Sequence, residues 1–289
     1  MARLRIGISG WRYPPWRGVF YPEDLPQRAE LAYASRQVGS IELNGSFYSL
    51  QRPSSYAGWS AATPRGFVFA VKGPRFITHV KRLRDIDGPL ANFLASGVFE
   101  LGPKLGPILW QCPPNQRFDE ALFDRFLAAL PRDTAQAAAR ARQHDHRLKY
   151  GASVAPDRKR RLRHALEVRH ESFICEDFIA LLRRHKVALV VADTAGRWPY
   201  LEDVTADFMY LRLHGDEKLY TSGYSDRALD RWAVRIRAWS EGGEPADAVR
   251  ASSRPRPKRA SRDVYCYFDN DAKVHAPFDA KALMRKLGL

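Results

Sequence analysis

The amino-acid sequence predicts an α/β protein in which residues 1–289 form a single (β/α)8, TIM-barrel-like domain. The first observation is that short apolar segments alternate eight times with helical or irregular connections, which is the element order of a parallel barrel. The second is that apolar residues make up 45% and aromatic residues 12% of the chain, enough for a large core and unlike a disordered protein. A length of 289 residues suits one such barrel.

Eight strand-sized apolar segments supply the predicted barrel strands. They are residues 4–11, 40–44, 66–73, 107–112, 164–170, 187–194, 208–215 and 264–271. Apolar residues at i, i+3 and i+4 predict helices over 119–130, 176–186 and 226–239. No stretch approaches the roughly 20 consecutive apolar residues of a membrane helix, so we expect no membrane partner.

Two basic segments, 132–163 and 244–262, are expected to be surface insertions or mobile loops outside the barrel. They hold ten and six Lys or Arg against three and two Asp or Glu, so most of the net charge of +15 lies there. Both lack regular periodicity over much of their length.

The amino terminus and the cysteines predict a cytoplasmic protein. The chain runs directly into the first strand without an apolar signal segment. Its three cysteines, Cys112, Cys175 and Cys266, have neither disulfide-type nor metal-type spacing.

Alternation within the strands predicts a charged barrel interior at the carboxyl ends. In 208–215, Tyr210, Arg212 and His214 share one face and the residues between them are apolar. The polar face would point inward, with His214 at the carboxyl-terminal end of the barrel, which we call the mouth and where such barrels build active sites. The same argument brings further polar residues to the mouth: Glu42, Asn44, Lys72, Gln111, Glu167, Arg169, Asp193 and Asp269.

Motifs along almost the whole chain are similar to those of one family. In order they are GISGWRYPPWRGVFYP, IELNGSFYSLQRPS, FVFAVKGPRFITH, LGPILWQCPPN, LEVRHESF, ADT, YLRLHG and YFDNDA. This set resembles the YecE-like proteins, a domain-of-unknown-function family. The resemblance implies a TIM-barrel-like fold and no particular reaction, and Phe173 departs from the family's frequent Trp. The matching family positions are Trp11, Glu42, Asn44, Phe47, Tyr48, Lys72, His79, Glu167, Arg169, His170, Asp193, Arg212, His214 and Asn270.

Acid–base chemistry is the first hypothesis for the mouth. Buried charges must be paired, because an isolated buried ion costs several kcal/mol, and only an unpaired Glu or His is easily shifted towards an acid or base role. Glu42 has no basic neighbour in its own strand and His79 follows Lys72 on a loop, so these two are the leading candidates. The predicted catalytic set is Glu42, His79, Glu167, Asp193 and His214.

The predicted substrate-binding residues are the remaining cationic, aromatic and hydrogen-bonding groups of the mouth. Trp11 belongs to them because it directly follows Ser9 and Gly10, whereas the other rings between residues 13 and 21 are expected to pack the side of the barrel. The set is Trp11, Asn44, Tyr48, Lys72, Gln111, Arg169, His170, Arg212, Asp269 and Asn270.

No cofactor or metal is predicted, with a divalent metal as a minor alternative. No H-x-x-E or H-E-x-x-H element occurs, and the basic residues beside the carboxylates would compete with a cation. No GxSxG elbow, phosphate-binding loop or dinucleotide fingerprint occurs either. Cys112 lies on an apolar strand face, which favours burial over nucleophilic chemistry.

Two functions from different classes fit this sequence. The first is a small-molecule enzyme, a hydrolase or an isomerase or lyase, that holds a polar or anionic substrate through Lys72, Arg169 and Arg212. The second is a nucleic-acid-binding or nucleic-acid-processing protein whose basic insertions follow the phosphate backbone. A barrel that binds a ligand without a reaction, and an ion-pair lattice that only stabilises the interior, are the remaining alternatives.

Overall fold

Eight parallel strands close into a barrel in the order β1 to β8, which confirms the predicted fold class. The structure, a computed structural model, describes residues 2–289. The strands are β1 Leu4–Ser9, β2 Ser40–Leu43, β3 Val68–Lys72, β4 Leu105–Gln111, β5 His164–Glu167, β6 Ala188–Asp193, β7 Phe208–Leu213 and β8 Asp263–Phe268. Each predicted strand extends past the observed carboxyl end, because the polar alternation continues into loop residues at the mouth.

Nine helices accompany the strands within residues 2–289. They are α1 Glu30–Gln37, α2 Gly45–Tyr48, α3 Pro53–Ala62, α4 Asp87–Ala95, α5 Glu120–Ala129, α6 Thr134–Ala141, α7 Glu176–His185, α8 Asp226–Ser240 and α9 His275–Leu287. The predicted helices match α5, α7 and α8, two of which begin at a side-chain cap: Asp119 accepts from the Leu122 amide and Ser225 from the Ala228 amide. In the described chain, every helix falls short of the length and hydropathy that a membrane span needs.

The two faces of each strand bury different side chains. In β7, Met209, Leu211 and Leu213 pack outward into the core shared with the helices. Tyr210 points inward, and its ring centroid lies 5.2 Å from that of Tyr267 in β8. The middle of the barrel interior is therefore apolar and aromatic, with one charged group at the mouth and another at the opposite end, where Arg163 lies 3.0 Å from Asp207 and 2.6 Å from Asp263.

The connection between β6 and β7 contains no helix, and segment 244–262 covers it. The Val249 amide donates to the Glu202 carboxylate at 2.9 Å, and Asp203 accepts from the amides of Ala251 and Ser252 at 2.7 and 3.2 Å. Glu202 and Asp203 are fully buried. The segment lies outside the barrel strands as a surface insertion, and it is anchored there because it holds the hydrogen-bond donors that two buried carboxylates require.

Segment 132–163 also lies outside the barrel strands and is anchored by packing. It contains α6, whose Ala137, Ala138 and Ala141 are buried against the rest of the protein. From Arg142 onward the chain reaches the level of the mouth, where Tyr150 stacks on Arg52 at 4.1 Å, and then returns to begin β5. The helix begins at a side-chain cap, Asp133, which accepts from the Gln136 amide, a local signal that the count of charges in this segment does not use.

Candidate functional site

A cavity of 580 Å³, here called the mouth cavity, opens at the carboxyl ends of the strands. This volume lies within the range of small-molecule sites. Seven of the predicted site residues line it: Asn44, Tyr48, Lys72, Gln111, Arg169, Arg212 and Asp269. Six further residues complete the lining: Tyr13, Pro15, Phe47, Tyr220, Asp271 and Ala272.

Arg212, at the end of β7, binds three carboxylates that come from three other strands or the loops after them. Its guanidinium lies 3.0 Å from Glu42 Oε1, 2.7 Å from Glu167 Oε2 and 2.7 Å from Asp269 Oδ2. The side chain is 1% exposed. We call these four residues the ion-pair cluster; it forms the floor of the mouth cavity and fixes the positions of the strand ends around it.

Glu42 has the basic partner that its own strand lacks, so the reason for choosing it as the acid or base is wrong. The Glu42 carboxylate also accepts from the hydroxyls of Ser9 and Tyr210, at 2.7 and 2.6 Å. The residue is fully buried and does not line the mouth cavity. The sequence does not reveal this partner, because Arg212 lies on another strand and reaches Glu42 across the barrel interior.

Glu167 and Arg169 leave β5 on the same face, as predicted. Arg169 Nε donates to Glu167 Oε1 at 2.7 Å, and its guanidinium lies 3.7 Å from the ring centroid of Trp198. Burial opposes ionisation of Glu167, but Arg169 and Arg212 outweigh it and hold the pKa of this carboxyl far below its usual range. Glu167 is therefore a fixed anion that positions the two arginines.

Asp269 lies between Arg212 and His214. His214 Nδ1 is 3.0 Å from Asp269 Oδ2, and the imidazole is fully buried beneath Trp198 and Tyr220. Burial acts to raise the pKa of Asp269, yet the charges of Arg212 and the contact with His214 keep it well below its ordinary value. This carboxylate stays ionised on the cavity wall.

Lys72, at the end of β3, is the cation of the site without a carboxylate at ion-pairing distance among residues 2–289. Its side chain is buried, and Nζ lies 4.2 Å from the ring centroid of Phe47. Burial and the nearby Arg212 charge lower the pKa of Lys72 to about 8. The amine therefore has donor capacity and charge that no protein group uses.

Asp271, three residues beyond β8, is a functional candidate that the sequence analysis missed. It lines the mouth cavity, and its Oδ1 is buried without a hydrogen-bond partner in the described chain. Burial and repulsion from Asp269 raise the pKa of Asp271 to about 7. Because Tyr265, Tyr267 and Asp269 share the inward face, the same period of two could have pointed to Asp271.

His79 and Asp193, both predicted as catalytic, do not line the mouth cavity. His79 lies behind Phe47, with ring centroids 5.2 Å apart, and its Nδ1 is 2.8 Å from the Thr78 hydroxyl. Burial and the charge of Arg75 lower the pKa of His79 to about 4. Asp193 accepts from the Tyr224 hydroxyl at 3.0 Å, a contact that braces the loop after β7.

The predicted binding residues divide between cavity walls and supporting positions. Trp11, packed edge-on against Trp59, lines a neighbouring groove of 320 Å³ that shares Asn44 and Tyr48 with the mouth cavity. Tyr48 is 70% exposed and stands between the two. Gln111 is a buried part of the cavity wall.

His170 and Asn270 hold backbone rather than facing the cavity. His170 Nδ1 accepts from the Ser172 amide at 3.1 Å and caps the short turn after β5. Asn270 donates to the Ser222 carbonyl at 2.9 Å and to the Asp279 carboxylate at 2.8 Å, which ties the loop after β7 to α9. Both shape the loops that surround the mouth.

The loops around the mouth carry exposed basic side chains that form no ion pair among residues 2–289. One follows each of seven strands, and together we call them the basic rim: Arg12, Arg52, Arg75, Arg117, Arg197, Lys218 and Lys273. Segment 244–262 lies at the opposite end of the barrel, since it joins the end of α8 to the start of β8. Only the tip of segment 132–163 reaches the mouth, where Arg147 lines a small apolar pocket beside Tyr48.

Metal ligands are not grouped in this site. In the chain from residue 2 onward, no three or more His, Cys, Asp or Glu side chains are placed to hold one ion. The carboxylates of the ion-pair cluster are occupied by Arg212, a competing cation at 2.7–3.0 Å.

Comparison with known proteins places the chain in a family. Residues 5–289 match the model of the family described as protein of unknown function DUF72. The UPF0759 protein YecE of Escherichia coli (strain K12) is 30% identical over 132 residues, an alignment that covers 44% of each chain; that relative is therefore matched over less than half of its length.

Solved structures show the same fold. A DUF72 family protein of Thermotoga maritima superposes with a TM-score of 0.72 at 23% identity, covering 99% of this chain and 100% of that one. A DUF72 family protein of Enterococcus faecalis superposes with a TM-score of 0.67 at 15% identity, covering 99% of this chain and 96% of that one. On the match of the family model to nearly its whole length, this chain belongs to the DUF72 family.

Proposed function

We propose that the protein is an enzyme that binds a small anionic substrate in the mouth cavity and transfers a proton to or from it. The observation that carries the proposal is that two groups line the same cavity: an amine without a carboxylate partner, Lys72, and a carboxyl held near neutrality, Asp271. A lysine with a lowered pKa and a carboxyl with a raised pKa in one cavity are typical of acid–base sites.

Anion binding falls to Lys72 and Arg169. Lys72 offers its full donor capacity, and Arg169 uses only Nε on Glu167, which leaves both terminal nitrogens free for a carboxylate or phosphate. The basic rim adds long-range attraction, because unpaired cations around a cleft raise the local concentration of anions. Arg212 is fully occupied by the ion-pair cluster and holds the floor in place.

Asp271 is the proton-transferring group of this proposal. A carboxyl with a pKa of about 7 is present in both protonation states at neutral pH, which suits general acid–base catalysis. Asp269 and Glu167 cannot share this role, since their neighbouring arginines keep them ionised. Tyr220 lines the same cavity and can orient a hydroxyl or carbonyl group of the substrate, whereas the Tyr13 hydroxyl donates to the Ser9 carbonyl.

Calorimetric titration with inorganic phosphate and a panel of phosphorylated and carboxylated metabolites tests the binding half of the proposal. We expect saturable binding that Lys72→Met weakens by about 10-fold or more, as loss of a charged hydrogen bond should. This variant should fold, because removing Lys72 leaves no carboxylate unpaired. Lys258→Met, in segment 244–262 at the opposite end of the barrel, is the matched control and should bind as the wild type does.

Turnover of any ligand found in that titration tests the catalytic half. Asp271→Asn should retain binding and lose about 100-fold or more in rate, because it removes the proton-transferring group while conserving its shape. An affinity that is unchanged in Lys72→Met, or a turnover rate that is unchanged in Asp271→Asn, would contradict the proposal.

Nucleic acid is the second candidate, and the basic rim is the observation that favours it. Exposed unpaired cations and the exposed ring of Tyr48 are features of single-strand binding surfaces. Fluorescence anisotropy with a labelled single-stranded 12-nucleotide oligomer, about one such site in length, distinguishes the two candidates. Neutralising Arg12, Arg75 and Arg117 should abolish its binding, whereas neutralising Lys258 and Arg259, on the opposite face, should not.

A further inference from the structure

Lys72 has a chemical capacity that anion binding alone does not use. Its Nζ has no hydrogen-bond partner and no carboxylate at ion-pairing distance among residues 2–289, and its side chain is only 7% exposed. Nζ lies over the face of Phe47, 4.2 Å from the ring centroid. An amine held between an aromatic face and a cavity, without a counter-ion, is the environment in which lysines become nucleophiles.

The backbone fixes the position of this amine. Lys72 ends β3, where it stands in register with Leu109 of β4, and its carbonyl accepts from the Ser46 hydroxyl at 2.6 Å. Residues on rigid strand ends hold reacting groups more accurately than loop residues do. The side chain therefore enters the mouth cavity from a fixed point on the barrel.

The neutral form of the amine is well populated at physiological pH. With a pKa of about 8, about one Lys72 side chain in four is uncharged at pH 7.5, compared with about one in a thousand for an ordinary lysine. Burial and the charge of Arg212 are the causes, and both follow from the packing of the site rather than from solvent conditions.

We propose that Lys72 is a nucleophile that forms an imine with the aldehyde or ketone group of an anionic substrate. This inference rests on the proposed function and names its substrate class: a carbonyl compound that carries a phosphate or carboxylate. Arg169 binds the anionic group, and the carbonyl carbon lies towards Nζ.

The reaction balances with the groups on the cavity wall. The lone pair of neutral Nζ attacks the carbonyl carbon, the C–O π electrons move to oxygen, and a proton passes from nitrogen to that oxygen to give a carbinolamine. The C–O bond then breaks as the Asp271 carboxyl donates a proton to the hydroxyl, which leaves as water, and the nitrogen lone pair forms the C=N bond. One amine, one carbonyl and one proton give one iminium ion and one water.

Reductive trapping tests the imine directly. The protein is incubated at pH 7.5 with pyridoxal 5′-phosphate or, separately, with the smaller glyoxylate, each of which combines an aldehyde with an anion. Cyanoborohydride or borohydride then converts an imine to a stable amine, and peptide mass spectrometry locates it. We expect Lys72 to be modified at least about 10-fold faster than Lys218 of the basic rim, with a rate that rises through a midpoint near pH 8.

Lys72→Arg is the matched variant, since it keeps the cation and removes the nucleophile. It should bind phosphate and incorporate no label at position 72, and Lys258→Arg, at the opposite end of the barrel, should leave the labelling of Lys72 unchanged. If both probes modify Lys72 no faster than Lys218, the imine is refuted. Phosphate binding that is still lost in Lys72→Met would then leave the proposed function standing, whereas absence of both labelling and phosphate binding would refute both.

Discussion

Replacement of Arg212 by Met tests whether the ion-pair cluster holds the barrel together at its mouth. The substitution keeps much of the side-chain volume but leaves Glu42, Glu167 and Asp269 without their shared cation. Removing one partner of a buried ion pair costs about 3–5 kcal/mol, because the remaining charge stays desolvated. In a protein of this size that corresponds to a fall in Tm of about 5–15 °C.

Thermal unfolding followed by circular dichroism at pH 7 measures the effect, and Arg161→Met is the matched control. Arg161 is 52% exposed, and its partner Asp207 also binds Arg163 at 3.0 Å. Because Arg161 is half exposed and the buried Asp207 keeps Arg163 as its cation, loss of this pair should cost about 1 kcal/mol or less. Equal shifts in the two variants would refute the reasoning.

The pH dependence of the Arg212→Met defect provides a second check. Burial disfavours ionisation of Glu167 and Asp269, but the cations of the site, Arg212 among them, hold both pKa values below their ordinary range. The stabilisation they give is therefore present above about pH 4.5 and lost as the pH falls below it. We expect the gap between wild type and variant to be largest at pH 7 and to narrow in acid. Adding Glu42→Gln to Arg212→Met should recover part of the loss, since it removes one of the unpaired charges.

Three further outcomes are expected. Asp271→Asn should be more stable than the wild type above pH 7, by roughly 1–4 kcal/mol in urea unfolding, and equally stable below pH 4. The reason is that ionising a carboxyl with a raised pKa costs folding free energy as the pH rises between these values. A variant less stable than the wild type above pH 7 would contradict this. Asp203→Ala should lower the free energy of unfolding by about 2 kcal/mol or more, because the amides of Ala251 and Ser252 lose their acceptor. The same variant should make residues 249–254 accessible to trypsin, and unchanged proteolysis would show that Asp203 does not hold the segment. A thiol reagent should modify Cys175 alone in the native protein, since Cys112 and Cys266 are buried and burial raises their pKa values. Labelling of either buried thiol in the folded protein would contradict this packing.

The strands and the inward polar face could be predicted from the sequence because both depend on local periodicity. Tyr210 and Arg212 both lie inside the barrel because alternate residues of a strand point to the same face. Partners across the barrel could not be predicted in this way, since Glu42 and Arg212 are 170 residues apart. Within the sequence, Glu42 therefore has no visible partner. Nothing local indicates the raised pKa of Asp271 either, because it is raised by burial and by the charge of Asp269.

The basic segments show a different limit. Their composition suggested mobile surface, yet Arg262 is 1% exposed and donates to two backbone carbonyls. A count of charges does not show which of them are satisfied inside a packed segment. The two carbonyls belong to Gly243 and Pro257, so the burial of Arg262 depends on how this segment folds back on itself.

The cover that segment 244–262 places over Glu202 and Asp203 has a consequence for how the chain reaches its native state. Residues 202 and 203 find their donors only when residues 249–252 are in place, and β1 closes the barrel only by pairing with β8. The two carboxylates wait for residues made 47 and 48 positions later, and β1, the first strand to be made, waits for β8, the last. A chain emerging from the ribosome must therefore keep two carboxylates and one edge of the sheet hydrated until synthesis is nearly complete, and the barrel closes as a late, cooperative step.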